Sequence, residues 1–104
     1  VYALGQDAIW RLADKDSSST ATGTMAIALG NSAGSDGMLV RGIVFSEELY
    51  GTLSTGDTLY VGDGGVPTVT APTTAGDYVR ILGQVTDIGG QIWFDPDKTY
   101  VLNS

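Results

Sequence analysis

The sequence predicts an all-β fold, a small antiparallel β-sandwich or β-barrel of about eight short strands. Two observations carry this. Runs of apolar and β-branched residues, bounded by Gly, Asn, Asp, Ser or Pro, recur about every ten residues. No stretch sustains a 3.6-residue apolar period for three turns, so helices have almost no support. At 104 residues the chain is expected to form a single β-domain over 1–104, large enough for one modest core. It opens on Val1 rather than Met, so a processed product or the ordered part of a longer polypeptide is expected.

The expected strands, in order, are Val1–Leu4, Ile9–Ala13, Thr24–Leu29, Met38–Phe45, Thr58–Val61, Tyr78–Thr86, Gln91–Phe94 and Thr99–Leu102. "LGQD" (Leu4–Asp7) is a short link between the first two. "DKDSSSTATG" (Asp14–Gly23) is too polar for a small core to order, and is expected to be disordered or pinned by a neighbour. "LGNSAGSDG" (Leu29–Gly37) is a polar loop. In Met38–Phe45 both faces are largely apolar and one carries Arg41. That suits a strand buried on both sides, or one with a face in a subunit contact. "SEELYGTLSTGD" (Ser46–Asp57) has room for one helical turn capped by Ser46. "GDGG" (Gly62–Gly65) is a turn. Val66–Gly76 carries no charge and includes Pro67 and Pro72, which prevent regular sheet pairing. It is expected to be an arm that is mobile alone and ordered against a neighbour. Along Tyr78–Thr86, Val79, Ile81, Gly83 and Val85 share the face expected to meet the core, opposite Tyr78, Arg80 and Leu82. "DIGGQ" (Asp87–Gln91) signals a tight hairpin. In "QIWF", Ile92 and Phe94 share a face, so if those two are buried Trp93 points away and is exposed or at an interface; the commoner reading for a Trp in a small domain is packing under a loop.

Composition excludes much chemistry. With no Cys there is neither a disulfide framework nor a thiolate metal site, and with no His the usual general base and commonest transition-metal ligand are missing. Twelve acidic residues against five basic ones give a net charge of −7. Such a surface repels phosphate backbones, so no nucleic-acid partner is expected. No apolar run reaches the length of a membrane span, and no membrane partner is expected.

Few residues remain for catalysis. Asp95 and Asp97 in "FDPDK" could hold a cation, but Asp and Pro between two strands read better as a reverse turn. Asp14 and Asp16 are weaker still. "GDGG" lacks the Lys and following helix of a phosphate loop. No catalytic residue, cofactor or metal is therefore expected, and the chain is read as a non-enzyme. Arg41 and Arg80 sit mid-strand among apolar neighbours and are expected to pair with carboxylates. The candidate interface residues are Arg41, Phe45, Val66, Pro67, Pro72, Tyr78, Arg80 and Trp93.

The order and spacing of "VYAL…IWRLAD", "TGTMAIALG", "DGMLVRGIV", "GDTLYVGDGGVPTVTAP", "DYVRILGQV" and "IWFDPDKTYV" cover nearly the whole chain. They resemble a small β-domain recurring in virion proteins of tailed bacteriophages, often those of marine or cyanobacterial hosts. The resemblance implies a capsid decoration or cementing protein, or a head-fibre domain, at the surface of the virion. Its expected partners are copies of itself, as a homotrimer, and the major capsid protein or another virion protein. One alternative is a distal tail-fibre or spike domain that binds a host glycan; another is a stand-alone carbohydrate-binding module. A small hydrolase has no His or Cys to support it.

Overall fold

The computed structural model describes residues 1–29, 37–45, 54–87 and 91–104. Among these are ten strands and one helical turn: β1 (Tyr2–Leu4), β2 (Trp10–Leu12), α1 (Ser18–Ala21), β3 (Met25–Ala28), β4 (Met38–Leu39), β5 (Gly42–Phe45), β6 (Thr58–Tyr60), β7 (Tyr78–Val79), β8 (Ile81–Asp87), β9 (Gln91–Phe94) and β10 (Val101–Leu102). All pairings are antiparallel. One sheet runs β2-β1-β3-β4, a second runs β5-β9-β8-β6, and β10 pairs with β7 in a two-stranded ribbon. The all-β expectation holds.

The two larger sheets share one core. Ala3 and Met25 from the first meet Leu59, Leu82, Ile92 and Phe94 from the second, all almost fully buried. Each fully buried Leu, Ile or Phe contributes about 1.5–3 kcal/mol, so these few side chains supply much of what holds the sheets together.

The expected continuous strand Met38–Phe45 is divided. β4 pairs with β3, whereas β5 pairs with β9. The chain changes sheet at Val40–Arg41, and Gly42 takes a φ of 146° at the corner. Neither half is buried on both sides: Val44 packs against the core, while Ile43 and Phe45 are exposed.

Tyr78–Thr86 is also interrupted, and its expected facing is corrected. Arg80 and Leu82 are buried while Ile81 is exposed. The cause is an extra residue in β8. Leu59 sits opposite Gly83 but Tyr60 sits opposite Ile81, so the alternation slips by one between them. Such a bulge lets Leu82 and then Val85 both point inward.

Asp14–Gly23 is pinned by its own domain. It contains α1, whose Ala21 is fully buried. Lys15 donates its amide to the Gly62 carbonyl and accepts at its own carbonyl from Tyr78. Its ammonium lies 3.1 Å from the buried Asp77 and 3.3 Å from Asp63. The turn expected in Ser46–Asp57, most of the Leu29–Gly37 loop and the Gly89-Gly90 turn lie outside the described residues.

Two predictions follow from local geometry. Gly83 has a φ of 155°, and a Cβ there would run into the Trp93 carbonyl of the adjacent strand. Gly83→Ala is expected to destabilise the fold by more than about 1 kcal/mol, seen as a lower urea midpoint at unchanged slope. In the β1–β2 turn, Arg11 donates to both oxygens of Asp7, at 3.0 and 2.7 Å. That bond holds the Asp7 carboxyl at about 2, below its ordinary 3.8. Because the folded value is lowered, the contribution is present above 3.8 and is lost as pH falls through about 2. NMR titration should place the Asp7 midpoint near 2, and Arg11→Gln should return it toward the ordinary value.

Candidate functional site

Three places gather side chains that the sequence scatters. The first is an apolar groove of about 470 Å³ between the edge strands β2 and β5 and the segment after the Gly62–Gly65 turn. Its rim is Leu12, Leu29, Phe45 and Val66, each between 46% and 53% exposed. Ile27 and Pro67 also line it, and among the described residues no Asp, Glu, Lys or Arg does. The turn is held by main-chain bonds: the Val1 amino group donates to the Gly65 carbonyl, and the Gly65 amide to the Ala13 carbonyl. Val66 is thereby fixed beside Leu12.

The second place is a cavity of about 450 Å³ whose lining includes Thr24, Val40, Arg41, Arg80, Asp95 and Lys98. Arg80 is 4% exposed. Its Nε donates to the Asp97 carbonyl at 2.7 Å and its Nη1 to the Ala21 carbonyl at 3.4 Å. The expected carboxylate pair is thus replaced by main-chain acceptors. Burial pushes the guanidinium below its usual pKa, opposed by the charge of Asp97 and by Tyr100. Arg41 does meet a carboxylate, Asp95, at 3.5 Å, with both groups well exposed, and it lies 5.6 Å above the Trp93 ring. An exposed pair of this kind contributes little to stability.

The third place is acidic. Asp14, Asp16 and Asp63 bring carboxylate oxygens within 4.8 Å of one another, and such a set could hold a hard divalent cation. Lys15 already lies beside Asp63. The hydrogen bond and charge of Asp14 push Asp16 up. Burial works to raise Asp14, but hydrogen bonds with Asp16 and from the Gly64 amide hold it below its ordinary value. Asp95 and Asp97 do not join them. Asp97 accepts from the Thr99 amide and hydroxyl, and this holds its carboxyl below the ordinary value; the expected reverse turn is not seen, since the Asp95 and Asp97 amides bond the Leu82 and Ile81 carbonyls.

The Val66–Gly76 arm is more tightly held than expected. Thr68 and Tyr60 exchange both backbone bonds, at 2.7 and 3.0 Å, so the stretch pairs with β6 of its own domain at that point. Pro72 is buried, and its carbonyl accepts from the Asn103 side chain. Tyr78 packs edge-on against Tyr100, with ring centroids 5.6 Å apart. Trp93 is half-buried under Arg41, on the face opposite the buried Ile92 and Phe94. Of the interface candidates, the structure brings Phe45, Val66 and Pro67 together at the groove and Arg41 and Arg80 together at the cavity. Leu12, Leu29 and Lys98 complete these surfaces, and no local signal in the sequence marks them.

The chain matches no family model, no curated protein and no solved structure. Among the described residues no helix is long and apolar enough to cross a membrane.

Arg80→Met would strand two carbonyls that now receive charged donors. It is expected to cost roughly 2 kcal/mol or more in chemical denaturation. Arg41→Met should change stability by well under about 1 kcal/mol, because its ion pair is exposed.

Proposed function

We propose that this chain is a non-enzymatic structural module that works by being covered: a decoration, cementing or head-fibre domain at the surface of a tailed-phage virion, assembled as a homotrimer. One observation carries the reading. On a chain of net charge −7, the groove edged by Leu12, Leu29, Phe45 and Val66 presents apolar side chains, with no Asp, Glu, Lys or Arg among the described residues that line it. Identical acidic copies repel one another over most of their surface, so an uncharged apolar strip is where they can meet at least electrostatic cost. The principal extents of 34 × 33 × 19 Å describe a flat body, a shape suited to side-by-side packing around an axis. The resemblance to virion β-domains supplies the setting. The alternative, a distal fibre or spike domain that binds a host glycan, draws on a different part of the molecule, the cavity over Arg80.

Sedimentation tests the assembly. The protein should run as a trimer, and Val66→Asp or Leu12→Asp should shift it to monomer with an unchanged far-UV circular dichroism spectrum. A wild-type chain that stays monomeric up to its solubility limit, and that fails to bind shells of the parent particle, would overturn the proposal.

A further inference from the structure

The chain has five basic residues, and three of them, Arg41, Arg80 and Lys98, line the cavity of about 450 Å³, where Asp95 is the single lining carboxylate among the described residues. The other two are already engaged: Arg11 with Asp7, and Lys15 with Asp63 and Asp77. Of the three at the cavity, Arg41 has a partial match, an exposed ion pair and a place 5.6 Å above the Trp93 ring. Arg41 touches Asp95 through Nε at 3.5 Å, and Lys98 makes no ion pair among the described residues. Asp97 neighbours Arg80, but its carboxylate accepts from the Thr99 amide and hydroxyl.

Arg80 is the built part of the site. It is buried and fixed by two carbonyls, through Nε and Nη1. Nη2 makes no hydrogen bond among the described residues and keeps contact with solvent, and Arg80 lines the cavity. A guanidinium oriented in advance by its own chain loses little entropy when an oxyanion arrives, and a partly desolvated setting strengthens the bond. The rest of the lining is not charged. Thr24 offers a hydroxyl, Gly23 leaves room, and Val40 and Pro96 give apolar surface. The volume lies within the range of small-ligand sites, roughly 300–1,000 Å³, and exceeds what a bare oxyanion needs.

We propose that this cavity binds a singly acidic saccharide unit, with the acid group on Arg80, Arg41 and Lys98 and the ring against Thr24, Val40 and Pro96. A single acid group is specified because the surrounding charge of the chain repels long polyanions. This deepens the glycan-binding reading, and it is independent of the apolar groove.

The test is titration of the ¹⁵N-labelled protein with methyl glucuronide, its neutral match methyl glucoside, and inorganic sulfate, followed by NMR. Methyl glucuronide should move the amides of Thr24, Arg41, Asp95 and Lys98, and sulfate and the glucoside should bind far more weakly. Arg41→Gln and Lys98→Gln, both at exposed positions, should each weaken glucuronide binding about tenfold, the loss of one charge-assisted contact. Equal binding of the glucoside at these residues would overturn the acid group. Sulfate binding as tightly as the glucuronide would overturn the saccharide. No shift at these residues would overturn the site, even if a neutral glycan bound elsewhere and kept the broader reading alive. Glucuronide binding at the cavity without binding to host-surface glycans would uphold the site and count against the appendage reading.

Discussion

A buried guanidinium is the constraint around which the rest of this chain is arranged. Arg80 sits where β7 ends and β8 begins, and its side chain bonds the carbonyls of Ala21 and Asp97. Its own carbonyl accepts from the Val61 amide, just beyond β6. One residue therefore ties together the end of α1, the exit of β6, the β7–β8 break and the connection between β9 and β10. A chain without cysteines has no covalent staple for such a junction. A cation could be buried here only because its donors find acceptors, and carbonyls serve as well as carboxylates without adding a second charge that needs desolvation. The short polar stretch before β3 is ordered as a consequence, since its Ala21 must stay in place to receive the bond.

What the sequence made legible was set by local chemistry. β9 falls at the expected Gln91–Phe94, and β1, β2, β3, β6 and β10 lie inside their expected ranges, because alternation and turn residues act over a few positions. The pairing of β8 with β9 follows from the hairpin signal between them. Illegible were the features that depend on a partner far along the chain. The bulge at Leu82 is defined only against β6, so period-two counting put Ile81 inside and Leu82 outside. The corner at Gly42 is fixed by which sheet each half joins. Val40-Arg41 and Val79-Arg80 look alike in sequence, yet Arg41 is exposed and Arg80 buried. The difference lies in whether distant carbonyls converge on the side chain, and no window of neighbouring residues contains that information.

The candidate surfaces divide the same way. Phe45, at the end of a strand expected to be buried or in a subunit contact, and Val66 and Pro67, in the expected arm, were visible as interface candidates. Leu12 and Leu29 look like ordinary strand residues, and only the fold reveals that they face the same groove. The acidic trio shows this most plainly: Asp14 and Asp16 belong to an unremarkable polar run until the Gly62–Gly65 turn brings Asp63 beside them.

Charge is distributed by function of place rather than evenly. Two cations, Arg11 and Lys15, neutralise carboxylates that the fold brings close, and one of these, Asp77, is buried. Three others gather where, among the described residues, a single carboxylate lines the wall. Among the described residues no charged side chain lines the groove, although Val1, whose ammonium bonds the Gly65 carbonyl, does. If the cations existed only to offset the acidic excess, interspersing them among the acids would lower the self-repulsion most effectively. Placing three of five around one recess forgoes that gain. The fold explains the position of Arg80 through its two carbonyl bonds. Arg41 and Lys98 are exposed; Arg41 meets Asp95 and lies over the Trp93 ring, whereas Lys98 makes no ion pair among the described residues, and the anion proposed for this cavity would give both cations a common partner.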